Sequence, residues 1–234
     1  MASKRSKRNI TLQDEHRFSV KSLRLSEKQK VFLKIALDPE TNIVFINGPA
    51  GSTKTYMAVY AALRHLSDNL NLDLLYVRTV IESADKGMGF LPGALEEKFN
   101  PYMAPLDDKL EELLPPPAST KRELVESNRI QALPINFLRG ANWIDKIAIA
   151  DEAQNFSHKE LVTLVTRIGA GTKLFICGDY MQSDINGRSG FRGMYDLFND
   201  ERSKKQGIHC FKFDKEDIKR SKILKYIISK LENV

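Results

Sequence analysis

The chain has 234 residues, 42% hydrophobic and 28% charged, with a formal net charge of +6. This is ordinary globular composition, which excludes bulk disorder, and the length suits one α/β domain with a buried sheet while leaving no room for two of ordinary size. No apolar run approaches the roughly 18 residues of a membrane span, and Met1 to Asn9 lack the apolar core of a secretory signal.

Cys177 and Cys210 are too few for a disulfide framework, so the expectation is a cytoplasmic protein with reduced thiols and no membrane contact. The charge is uneven. Residues 1–24 carry seven Lys/Arg against two acids, and residues 202–234 carry ten against four, while the middle is net acidic. Basic ends suit a polyanionic partner such as RNA or single-stranded DNA. A solubilising tail and a solvated terminal helix account for them equally well.

In chain order, residues 1–20, with Lys4, Arg5, Lys7 and Arg8, read as a basic, mobile arm, leaving 21–234 as the single domain. Ser26 caps a helix whose inward face is expected to hold Val31, Phe32, Ile35 and Ala36, and Pro39 ends it. Gln29 on this helix either reads an adenine edge, since an amide offers both donor and acceptor, or is an exposed helical glutamine.

The strand-like run Ile43 to Ile46 then feeds Gly48-Pro49-Ala50-Gly51-Ser52-Thr53-Lys54-Thr55, followed by the helical Tyr56 to Leu63. Strand, glycine turn and a helix opening on Lys-Thr is the layout of a phosphate-binding loop. Backbone N–H groups and the helix N-terminus would hold the phosphates, Lys54 would reach the β- and γ-oxygens, and the Thr55 hydroxyl would hold Mg²⁺. Thr53 departs from the pattern, which has glycine before the lysine. A Cβ there is expected to weaken nucleotide binding or alter the turn.

Leu72 to Val77 reads as a buried parallel strand, and the long glycine-bearing loop Arg78 to Gly93 as a nucleic-acid contact through Arg78, Phe90 and Leu91, or as a plain connection. An interrupted acidic helix over 94–114 stops at Pro115-Pro116-Pro117. A helical piece at 119–127 and an edge or bulged strand around Pro134, ending at Arg139-Gly140, follow.

Ile147 to Ala150 is a buried run ending in Asp151-Glu152, placed for Asp151 to hold Mg²⁺ and Glu152 to orient an attacking water. Ser157 and Glu160 form a capping box before a helix facing inward through Leu161, Leu164, Val165 and Ile168. Beyond the strand Leu174 to Cys177, Gln182 sits where a γ-phosphate would be sensed. A helix at 190–199, a last strand at 208–213 and a terminal helix at 221–232, with Ile223, Leu224, Ile227, Ile228 and Leu231 inward and Arg220 before it, complete the pattern.

GPAGSTKT, MGFLPGALEEKFNPYMAPLDD, ADEAQN and GDYMQSD together resemble the PhoH family over roughly residues 25–232. The resemblance implies an α/β fold, a single RecA-like P-loop NTPase domain with a mostly parallel sheet and helices on both faces. It also implies ATP hydrolysis with Mg²⁺, a partner such as RNA or single-stranded DNA, and a ring-like homo-oligomer such as a hexamer. By position it assigns Lys54 and Thr55 to phosphate and metal, Asp151 and Glu152 to the acidic pair, Gln182 to the sensor, Gln29 to adenine, and Arg220 to the arginine before the last helix. A neighbouring subunit would supply the second wall, with Arg220 or Arg167 acting in trans. Two alternatives stand beside an ATPase coupled to single strands. One is a nucleotide-gated binding module with little hydrolysis, which Thr53 favours; the other is a small-molecule kinase, which the Glu152 and Gln182 pattern disfavours.

Overall fold

The computed structural model describes residues 18–79, 95–135, 142–182 and 189–218, with backbone alone for 95–102. The basic residues up to 17, Phe90 and Leu91, Arg139-Gly140, Ser183-Asp184, Arg220 and the expected terminal helix lie outside the described residues.

Five of the strands are short apolar runs: β1 (Ile43–Asn47), β2 (Asp73–Arg78), β3 (Ile130–Pro134), β4 (Lys146–Ala150) and β5 (Lys173–Gly178). With β6 (Ile208–Lys212) they form one six-stranded sheet of order β3-β2-β4-β5-β1-β6, every pairing parallel. Period-two alternation sends Val44 and Ile46 to one face and Ile43 and Phe45 to the other, and each face has its own apolar core. The first core is covered by α1 (Glu27–Leu37), α2 (Lys54–Asp68) and α3 (Leu95–Leu113), the second by α5 (His158–Val165) and α6 (Phe191–Phe198). The result is a single α/β domain in which β1, β4 and β5, the strands that carry the motifs, are all interior. Full burial of side chains such as Phe32, Phe45 and Phe175 contributes about 1.5–3 kcal/mol each.

Local chemistry sets the helix starts. Ser26 and Gln29 form a capping box on α1, and Ser157 and Glu160 another on α5. The inward stripe of α1 is Gln29, Phe32 and Ala36, so Val31, expected inward, is turned away and 54% exposed. The acidic stretch expected to be interrupted is one continuous helix, α3, despite Pro101 and Pro105. Leu106, Leu110 and Leu113, on one stripe, are completely buried, and Lys109 Nζ donates to the Pro105 carbonyl at 2.6 Å; packing outweighs the missing prolyl N–H groups. After α4 (Ser119–Glu126), Pro134 ends β3 at the sheet's edge, where a missing donor is tolerated.

The short α7 (Glu201–Lys205), capped by the Asp200 carboxylate, has no counterpart in the sequence reading. Phe18 and Val20, within the stretch assigned to the arm, pack against the first core, and Lys21 N–H donates to the Leu113 carbonyl. Among the described residues no helix is long and apolar enough to cross a membrane.

His65, near the end of α2, lies with Nε2 3.0 Å from the Ala36 carbonyl. Burial pushes its pKa below the ordinary 6.5, and burial moves His209 the same way. The unfolded chain therefore takes up these protons first, so stability is full above about pH 6.5 and declines as the pH falls through that value toward the lower folded ones. Denaturant midpoints should drop between about pH 7.5 and 5.5, and His65→Gln, whose amide can still donate to Ala36, should flatten that drop. An unchanged slope in the variant would remove His65 from the acid response.

Candidate nucleotide site

The C-terminal tips of the interior strands meet over a cavity of about 720 Å³. Its lining includes Ala50, Gly51, Thr53, Lys54 and Thr55 from the loop after β1, Asp151 and Glu152 from the tip of β4, Gln182 beyond β5, and Gln29 of α1. The motifs, far apart in sequence, thus share one rim of the sheet, where ligands bind in open α/β folds.

The loop is built for close approach. Gly51 takes φ 80°, and at Gly48 a Cβ would fall 2.7 Å from Ser52 Oγ and 2.9 Å from Phe213 Cβ, so only glycine fits. Gly48 N–H donates to the Gly178 carbonyl and Tyr180 N–H to Asn47 Oδ1, tying the tips of β1 and β5 together. Ser52 is fully buried beneath the loop. Its N–H donates to the Pro49 carbonyl, and Lys54 Nζ also lies 3.4 Å from that oxygen. Thr53 is the N-cap of α2 at φ 67°, ψ 11°, a left-handed conformation that a β-branched residue seldom adopts.

The Asp151 carboxylate is held from two sides. Thr55 Oγ1 donates to Oδ1 at 2.6 Å, and the hydroxyl of Tyr76, on β2, donates to Oδ2. Burial, and then the adjacent negative charge, push the Tyr76 phenol well above its ordinary pKa, so it is a permanent donor. Glu152 is left-handed too, at φ 55°. Its carboxylate accepts from Gln154 Nε2 at 2.6 Å and lies 3.9 Å from the Arg78 guanidinium. Gln154 Oε1 in turn accepts from Asp179 N–H. Two of the four non-glycine residues with positive φ among the described residues are therefore in this one cavity.

Gln29 is buried, and both ends of its amide are engaged. Oε1 accepts from Ser26 N–H in the capping box, and Nε2 donates to Thr53 Oγ1 at 2.9 Å. Gln182 is exposed at the rim, its N–H bonded to the Asp179 carbonyl. Arg167 lies away from the cavity, beyond the end of α5, where its carbonyl accepts from Trp143 N–H ahead of β4.

Tyr76 and Gln154 carry roles that motif reading did not assign. A lone hydroxyl within the apolar run Leu74 to Val77 was the available signal for Tyr76, because a buried phenol needs a partner. α3 adds Pro105, Asp108, Lys109 and Glu112 to the lining; Pro105 and Asp108 fall within the segment that carries the family resemblance, but motif reading assigns no role to any of the four.

Phosphate-loop lysine, helix N-terminus, hydroxyl and strand-tip acid in one cavity constitute the site of a P-loop NTPase. The pair Thr55 Oγ and Asp151 Oδ is a hard-oxygen donor set suited to Mg²⁺. A family model described as PhoH-like protein matches residues 23–232. A PhoH-like protein of Mycobacterium tuberculosis is 34% identical over 195 residues, which is 82% of this chain and 53% of that protein. One from Bacillus subtilis is 33% identical over 194 residues, 83% of this chain and 59% of its own length. The chain thus spans about half the length of these relatives. Among solved structures, the Pif1 helicase from Candida albicans covers 82% of this chain and 40% of its own at 14% identity and a TM-score of 0.40, too remote to bear on chemistry. With the family model matched over most of its length, and relatives at a third identity or slightly above, the chain belongs to the PhoH-like family.

Proposed function

We propose that the chain hydrolyses ATP to ADP and phosphate, with Mg²⁺, in work coupled to RNA or single-stranded DNA. The observation that carries this reading is the 2.6 Å bond between Thr55 and Asp151, which joins the phosphate loop to the strand-tip acid beside Lys54. Mg²⁺, when bound, neutralises charge on the β- and γ-oxygens; Thr55 and Asp151 would hold it. Lys54 leaves the Pro49 carbonyl for the phosphates, and the open N-terminus of α2 adds partial positive charge. Glu152, braced by Gln154, orients a water in line with the γ-phosphate; the water oxygen bonds to phosphorus as the bond to the ADP oxygen breaks, and the water's proton passes to the released phosphate. The base would lie against the apolar part of the lining, Leu23, Leu25 and Met57.

A single-stranded partner is supported by the surface at the β5 tip. Arg192 stacks over the Tyr180 ring at 5.6 Å, and Met181 beside it is 80% exposed, a combination that suits bases and phosphates. A homo-oligomer, ring-like and hexameric by family resemblance, would supply an arginine from a neighbour. Arg167, away from its own cavity, is compatible with that role, and Arg220 is the other candidate. The second reading, nucleotide-gated binding with slow hydrolysis, draws on the left-handed Thr53.

ATP turnover should rise with single-stranded RNA or DNA at low salt and lose that stimulation as salt increases. Lys54→Ala should lower kcat/KM by about 10²-fold or more, and Glu152→Gln should retain ATP binding while lowering kcat by about 10²-fold. Turnover untouched in both variants would reject hydrolysis at this site, and parent turnover that appears only in Thr53→Gly would favour the second reading. Tyr76→Phe leaves an Asp151 oxygen without its donor. ADP affinity should fall about five-fold in Mg²⁺ and stay unchanged in EDTA; equal loss in both would mean that Tyr76 serves the fold alone.

A further inference from the structure

A threonine at a helix N-cap ordinarily turns its hydroxyl inward to accept from the N–H of the second or third helical residue. At a phosphate-binding helix that habit is harmful, because the same N–H groups must face the anion. Thr53 is the N-cap of α2, yet it makes no side-chain cap bond there. Its Oγ1 is turned to α1, where it accepts from Gln29 Nε2 at 2.9 Å. Gln29 is fixed in turn: it is 2% exposed, and its Oε1 accepts from Ser26 N–H. The glutamine expected to read the base is therefore bonded to the one loop residue that departs from glycine.

We propose that Gln29 is a positioning residue for the phosphate cradle. By holding the Thr53 hydroxyl toward α1, together with the left-handed backbone at Thr53, it keeps that side chain from turning to cap its own helix, and so keeps the first-turn N–H groups of α2 available to phosphate. The inference rests on the nucleotide reading of the cavity and deepens it, since the recognised chemistry is the polyphosphate itself, independent of any base. It also accounts for a threonine tolerated where its Cβ is conformationally unfavourable: the hydroxyl has a dedicated partner outside the cradle.

Inorganic tripolyphosphate, which has no base, separates positioning from base reading. Its affinity, measured by calorimetry beside that of ATP, should fall about three- to tenfold in Gln29→Ala, the loss of about one hydrogen bond. Adding Thr53→Gly, which removes the competing hydroxyl, should restore tripolyphosphate binding to within about twofold of the parent. Thermal midpoints of all three proteins report any loss of the α1 capping box. Two results overturn the proposal. In one, Gln29→Ala weakens ATP and leaves tripolyphosphate unchanged, which makes Gln29 a base reader only. In the other, both ligands weaken and Thr53→Gly rescues neither, which makes the defect a displaced helix. Parent protein that binds neither ligand instead overturns the nucleotide reading beneath it.

Discussion

The Asp151 carboxylate is the point at which the architecture closes. It ends β4, its Oδ1 is held by Thr55 at the start of α2, and its Oδ2 by Tyr76 on the neighbouring β2. At 3% exposure it has almost no recourse to water, so each donor satisfies an oxygen that would otherwise cost about 1–3 kcal/mol or more to leave bare. Because α2 issues from β1, this one acid fixes the phosphate loop relative to two strands that are not its sheet neighbours. The parallel register does the coarse alignment by bringing the tips of β1, β4 and β5 to one edge. The carboxylate does the fine alignment.

Two left-handed residues lie at the same edge. Thr53, at the end of the loop that leaves β1, and Glu152, just past the tip of β4, each take a left-handed conformation that costs about 1–3 kcal/mol. Each is also steadied by a buried glutamine, Gln29 for the Thr53 hydroxyl and Gln154 for the Glu152 carboxylate. The two arms of the site thus follow one design: an awkward backbone aims the functional group, and an amide from an adjacent turn holds the side chain in place.

Much of this was legible in the residues, and what was legible shares a physical cause. Buried parallel strands are apolar throughout, so Ile43 to Ile46, Ile147 to Ala150 and Leu174 to Cys177 declare themselves, and a glycine turn before Lys-Thr can do little else at a strand end. Capping at Ser26 and Ser157 is local chemistry and was equally visible. The unbroken α3 was not, because proline rules describe a solitary helix, and three buried leucines decide the matter through tertiary packing. Val31 misleads for a related reason: it is apolar, but it lies one step off a stripe that includes the polar Gln29. The bonds from Tyr76 to Asp151 and from Gln29 to Thr53 were not legible: a buried phenol or amide signals that it needs a partner, but not which residue a distant strand or loop supplies.

One peptide unit in α1 has an unusual double duty. Lys28 pairs with Asp214 and, at 3.2 Å, with Asp217, in the turn that follows β6, while the next residue, Gln29, grips the loop. The first turn of this helix is therefore a crossbar between the β6 edge of the sheet, next to β1, and the phosphate cradle. The turn past β6 is thus joined to Thr53 by way of Lys28, Gln29 and the amide between them, a second tie beside the bond from Phe213 N–H to the Asn47 carbonyl at the root of the loop.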